Sequence, residues 1–255
     1  MFDPIITSAT VGFASAFAGS AISKAEGPGR ALDDIMSLIG FEKLHEVAEK
    51  KRISRDMNIQ EYKESIAQKV ARIPEDKIVE PPLSIVGPAF EASKFYIEEY
   101  ELREMFSSVI SASMDSRLNN RVHPSFVDII KQLSPHDALV LSKIKNNNYH
   151  PGSPISAMKM VVKVEEGEKI IFPLLVLFNE DIQYESNSIS INNLNRLGIV
   201  NINMNTWATD DDAYTKYYSN PILSHILNKH PEMSLSKGSY TLNDFGKNFI
   251  DICVN

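Results

Sequence analysis

Residues 123–145, HPSFVDIIKQLSPHDALVLSKIK, carry two helix starts in quick succession. His123-Pro124 opens a short helix on which Phe126, Ile129, Ile130 and Leu133 recur at helical spacing. Ser134-Pro135 opens the next. A serine at the cap accepts from the free backbone amides, and a proline in the first turn loses no hydrogen bond there. Asp137 adds a carboxylate near the positive end of that helix, and Leu139, Val140 and Ile144 supply its apolar stripe. Upstream of the stretch the chain reads as almost entirely helical, and downstream it mixes strands with helices. The stretch is therefore read as a hinge whose apolar residues dock one half on the other. The expected fold is α+β and mostly α: a helical N-terminal half followed by a winged-helix-like C-terminal domain with an inserted β-hairpin. The expected divisions are an uncharged small-residue helix at 1–25, a helical domain at 26–133 and the winged-helix-like domain at 134–255.

The upstream half is read from its apolar periodicity. Leu32, Ile35, Met36, Ile39, Leu44 and Val47 form one stripe, with Gly40 as a bend. Asn58 is read as the N-cap of a second amphipathic helix carrying Ile59, Tyr62, Ile66, Val70 and Ile73, closed by Pro74. Pro81-Pro82 mark a linker, and Pro88 is read as the first turn of a long helix running to about Arg117. Leu102, Met105, Phe106, Val109 and Ile110 are its inward face. Glu98, Glu99, Glu101 and Glu104 on the same helix read as surface charge.

Downstream, Ile155 to Val164 and Lys169 to Phe178 are two strands of a hairpin turning at Glu165-Glu166-Gly167-Glu168. Pro173 pushes the second strand toward a sheet edge or a bulge. A helix from Ile189 to Leu197, then Gly198, then a strand from Ile199 to Met204 follow the helix-glycine-strand order of a winged helix. The wing would hold a large insert with a helix from Pro221 to Lys229. Tyr240-Thr241-Leu242 is the return strand. A final helix, capped by Thr241 or Asn243, buries Phe245, Phe249, Ile250 and Cys253.

Composition narrows the function classes. The formal net charge of the 255 residues is -7, and neither 1–133 nor 134–255 is net basic. Such a balance opposes nucleic-acid binding, which depends on phosphate neutralisation by Lys and Arg. The candidate recognition helix offers only Arg196 beside Asn192, Asn193 and Asn195, and Asp210-Asp211-Asp212 would repel phosphate. A single cysteine, Cys253, excludes an internal disulfide and a thiolate zinc site and points to a reducing cytoplasm. Residues 4–23, PIITSATVGFASAFAGSAIS, contain no charge and match a membrane span in length. Their many Ser and Thr residues and the small Gly12, Ala16 and Ser20 favour a helix packed against protein, with membrane contact as the alternative. A cleaved signal lacks its basic start, since Asp3 precedes the segment.

No catalytic motif emerges. Glu42 and His45 have the Glu-x-x-His spacing of a carboxylate-bridged di-iron bundle, but no second copy exists, so a solvated face is the reading. The Asp run lacks the order and distal Glu of a calcium loop. His123 has no partner at a triad spacing and is read as a structural hydrogen-bonding group. There is no phosphate-binding loop, dinucleotide turn, zincin motif or nucleophile elbow. No catalytic, cofactor-binding or metal-ligating residue and no cofactor is therefore assigned. Trp207, Tyr214, Tyr217 and Tyr218 either present an aromatic surface to a protein partner or pin the wing insert to the core.

Several of these pieces together resemble one family. HPSFVDIIKQLSPHDA, NNLNRLGIV and YTLNDFGKNFIDIC, with ELREMF and Ser113-Met114-Asp115, are similar to the abortive infection alpha family of bacterial phage-defence proteins. The resemblance covers about residues 80–255. It implies a role in stopping phage propagation, often at the expense of the infected cell, and brings no catalytic residues to carry over. The leading expectation is a non-enzymatic defence protein that acts on a protein partner or by self-association. The alternatives are a winged-helix nucleic-acid regulator and a membrane-associated toxin using residues 4–23.

Overall fold

The computed structural model describes residues 49–147, 151–178 and 183–254, with side chains from Ser54 onward. The uncharged segment at 4–23, the first amphipathic stripe and the Glu42/His45 pair lie outside the described residues. Two compact units are present: the described residues up to Pro135 together with 251–254, and His136–Ile250.

In the first unit α1 (Glu49–Val70), α2 (Leu83–Ser93), α3 (Tyr100–Ser113) and the short α4 (Ser125–Ile130) are linked by single 3-10 turns. α1 runs unbroken through Asn58, so that residue is interior and not a cap. The expected long helix is two helices. α2 starts at Leu83, after Pro82, and Pro88 lies inside it. A 3-10 turn at Lys94–Tyr96 then separates it from α3. The expected faces are buried: Tyr62, Ile66, Val70 and Ile73 beside Phe90, Leu102, Met105, Phe106, Val109 and Ile110. Tyr62 meets Phe90 edge to face, centroids 6.5 Å apart, a preferred aromatic geometry.

α3 is buried almost all round despite its serines. Each serine bonds back to its own helix: Ser107 and Ser108 donate to the Glu104 carbonyl, Ser111 to Ser108 and Ser113 to Ile110. A short hydroxyl that bonds one turn back can be buried without an unsatisfied donor.

The second unit holds α5 (Pro135–Asn146), the hairpin strands β1 (Pro154–Val164) and β2 (Gly167–Leu175), α6 (Tyr184–Arg196) and β3 (Val200–Asn203). After these come α7 (Asp212–Ser219), α8 (Pro221–Lys229), β4 (Met233–Leu242) and α9 (Asp244–Cys253), whose last turn falls in the first unit. The four strands form one antiparallel sheet in the order β2-β1-β4-β3. β2 is an edge, and its register slips between Met158↔Leu175 and Met160↔Phe172, the stretch that contains Pro173. A proline has no amide to give to a ladder, so edge and bulge are where it fits.

On α5 the inward residues are Ala138, Val140, Leu141 and Ile144, whereas Leu139 is exposed. Phe245 is likewise more than one-third exposed, while Phe249, Ile250 and Cys253 are buried. In both helices the apolar residue left outside sits one helical step off the stripe, a distinction that hydrophobicity alone does not draw.

α6 ends in a Schellman motif: Ile199 N–H bonds Leu194 C=O, Gly198 N–H bonds Asn195 C=O, and Gly198 has φ 74°. A left-handed residue at this position favours glycine. Asn243 caps α9, accepting from the Gly246 amide at 2.7 Å and donating to the Gly198 carbonyl at 2.9 Å. Gly246 sits so close to the Ile199 carbonyl that a β-carbon would collide with it.

Candidate functional site

The chemically richest place in the described structure is a cleft in the first unit, about 600 Å³ in volume, lined by α1 and the start of α3. α1 contributes Glu61, Glu64, Ser65, Gln68 and Lys69, whose spacing puts them on one face of the helix, and the turn after it adds Arg72. Tyr100, Arg103 and Glu104 line it from α3.

Two ion pairs form its floor. Lys69 Nζ donates to Glu104 Oε2 at 2.6 Å, to Ser107 Oγ at 2.6 Å and to Ser65 Oγ at 2.8 Å. Burial holds the Lys69 ammonium below the usual lysine range, against the opposing pull of Glu104. Arg103, with its side chain only 3% exposed, donates to Glu61 at 2.6 Å and to the Ile97 carbonyl at 3.0 Å. The Tyr100 ring covers its guanidinium at 5.6 Å.

A lysine between two serines invites comparison with a serine–lysine nucleophile. Such a site needs the amine to accept the hydroxyl proton. Here Ser65 gives its proton to Glu104 and Ser107 gives its own to the Glu104 carbonyl. Lys69 therefore donates to both, and its three hydrogens are all used. The floor clamps α1 onto α3. The rim, with Tyr100 and Glu64 exposed and Glu61 half-exposed, faces solvent.

The residues singled out in the sequence take mostly structural positions. His123 Nδ1 accepts from the Ser125 amide at 3.1 Å and meets Ser125 Oγ at 2.7 Å. Its single lone pair is spent on the start of α4. In α6 the asparagines considered for base reading are engaged internally: Asn192 donates to Ser188 C=O, Asn193 to Asp137, and Asn195 accepts from Ile202 N–H. Arg196 bonds Asn193 at 2.8 Å. Asp137 is buried under Asn193. Beside it His136 Nε2 meets Asn187 Oδ1, whose own amide donates to Val176 C=O. Asp211 pairs with Lys237 at 2.5 Å, and Asp210 accepts from the Asp212 amide.

The aromatic insert divides in two. Tyr214 and Tyr217 are buried, and each hydroxyl joins two backbone groups. Tyr214 accepts from Ala208 N–H and donates to Gly238 C=O. Tyr217 accepts from Leu177 N–H and donates to Ser156 C=O. They fasten α7 to the sheet, on a cluster with Met158, Met160, Leu175, Leu177 and Leu223. Trp207 and Tyr218 face solvent.

The cleft leaves no local trace in the sequence because its floor joins residues more than thirty positions apart. Glu104 reads as one of the surface glutamates, yet its side chain is only 15% exposed. Its position between Arg103 and Met105 on a buried helix is the one available signal. Among the described residues no cluster of His, Cys, Asp and Glu fits a metal ion, and no helix is long and apolar enough to cross a membrane.

Comparison with known proteins adds one finding. A family model described as abortive infection alpha matches residues 54–253, spanning the described parts of both units. No curated protein and no solved structure matches the chain.

Proposed function

The chain belongs to the abortive infection alpha family, and from that premise we propose that it is a bacterial phage-defence protein acting through contacts with another protein. The family match over residues 54–253 carries this reading. The acidic balance, with a net charge of -7, supports a protein partner over a nucleic acid. So does the internal use of Asn192, Asn193, Asn195 and Arg196, since a base-reading helix needs those groups outward. In this reading the protein works in the bacterial cytoplasm.

The second unit is read as winged-helix-like. The succession α6, Gly198, β3 and β4, with β3 antiparallel to β4, supports it, and α7 and α8 form a large insert at the wing tip. Exposed Trp207, Tyr218, Phe95 and Tyr100 supply the aromatic anchors that protein interfaces favour.

The test is plating efficiency. A phage-sensitive bacterial host expressing the full chain gives fewer plaques than the same host with an empty vector. Unchanged plating across a broad phage panel overturns the proposal.

A further inference from the structure

We propose that residues 94–101, together with the rim of the α1–α3 cleft, form the docking surface for a basic segment of a partner protein. This rests on the protein-contact reading above and names where and with what chemistry the contact is made.

The first observation is exposure. Phe95, on the short connection between α2 and α3, is 74% exposed, and Tyr100, the first residue of α3, is 62% exposed. The Phe95 ring is held out by a fixed backbone, because its neighbour Tyr96 is anchored to the Lys131 carbonyl at 2.6 Å, and Tyr100 is held by the first turn of α3. Rigid aromatic residues bind with little loss of conformational freedom.

The second observation is residual charge. Three of the cations around this segment are already matched: Arg55 with Glu98, Lys94 with Glu91 and Arg103 with Glu61. Their positive ends are also sequestered, with side-chain exposures of 18%, 13% and 3%, whereas their glutamate partners stay 53%, 57% and 54% exposed. Glu64, Glu99 and Glu101 add carboxylates that pair with no cation among the described residues, and they outnumber Arg72, the exposed cation on the cleft lining. The face offered to solvent is therefore aromatic and negative, which selects Lys and Arg through carboxylate pairing and cation–π contact. It also repels nucleic acid and anionic lipid headgroups.

The third observation is an orphan donor. Arg103 Nε is buried and has no hydrogen-bond partner, although the same side chain lines the cleft and lies under the Tyr100 ring. A buried unmatched N–H is costly. A main-chain carbonyl of the occupant, entering beside the Tyr100 ring, would satisfy it.

The experiment uses the full chain and two labelled synthetic peptides, one alternating Lys and Arg with Leu and Phe, the other with every cation replaced by Glu. Binding is read by fluorescence anisotropy at about 150 mM salt, where unscreened long-range attraction is small. The basic peptide binds and its acidic counterpart does not. Phe95→Ala and Tyr100→Ala each weaken binding by about tenfold, and the pair Glu64→Gln, Glu101→Gln weakens it while flattening its salt dependence. Trp207→Ala, in the other unit, leaves it unchanged. Equal binding of the two peptides, or binding untouched by Phe95→Ala and Tyr100→Ala, overturns the proposal. The double variant Phe95→Ala, Tyr100→Ala, checked for an unchanged thermal melt, is then plated with phage. If wild type protects and the variant protects equally, the docking surface falls and the defence function stands. If wild type gives no protection, the defence function falls whatever the peptides show.

Discussion

The two units fasten their elements together through different polar groups. In the first, a charge cluster crosses the helix interface: Lys69 with Glu104, and Arg103 with Glu61. In the second, neutral hydroxyls and amides do the joining: Tyr214, Tyr217, Asn187 and Asn243. A buried ion pair gains little net stability over an apolar pair, yet losing one partner strands a charge. A neutral hydroxyl between two backbone groups costs less to lose and depends less on pH. The first unit should therefore be the brittle one, and the second the tolerant one.

The strongest attempt to break that contrast is Glu104→Ala, which leaves the Lys69 ammonium against two serines. A loss of about 3 kcal/mol in urea unfolding is expected, near the lower end for broken buried pairs because both ends keep some solvent. Adding Lys69→Met should restore most of it; no recovery in the double variant would mean that packing, not charge, dominates. Next comes Tyr217→Phe, which orphans Leu177 N–H and Ser156 C=O at an expected cost of about 2 kcal/mol. A loss equal to that of Glu104→Ala would erase the contrast. Asn243→Ala removes a helix cap and should cost about 1 kcal/mol, read as a lower melting temperature.

The smallest expected effect sharpens the rule from the other side. Lys216 is the second unit's own desolvated cation, lying over the Tyr217 ring at 5.5 Å, and burial lowers its pKa to about 8. The unfolded chain then holds the proton more tightly than the folded one. Its contribution to stability is therefore least favourable below pH 8 and improves as pH rises toward the ordinary lysine value. Compared between pH 7 and pH 9.5, the wild type should gain stability relative to Lys216→Met. Parallel pH profiles for the two would show that the ammonium stays hydrated.

Much of the architecture could be read in advance where the signal is local. The start of α5 at Pro135, the glycine stop after α6, the Pro173 irregularity and the Asn243 cap each depend on a few adjacent residues. Local signals misled at Asn58 and Pro88. An asparagine can cap a helix and a proline can open one, but neither is forced to, and packing of the apolar stripe carried both helices through. The cleft was illegible for another reason. Its floor is made by Lys69 and Glu104, residues that periodicity assigns to solvent faces and that only the packing of α1 on α3 brings together.

By itself, then, the sequence determined the helical-then-mixed order, the family and the acidic surface, because caps, periodicity and charge are properties of short windows or of the whole composition. Tertiary structure alone decided which tyrosines of the insert are inside, which glutamate is buried, and that Phe95 and Tyr100 stand in water. Each of those depends on which helix face meets which neighbour, and one helical step is enough to change the answer.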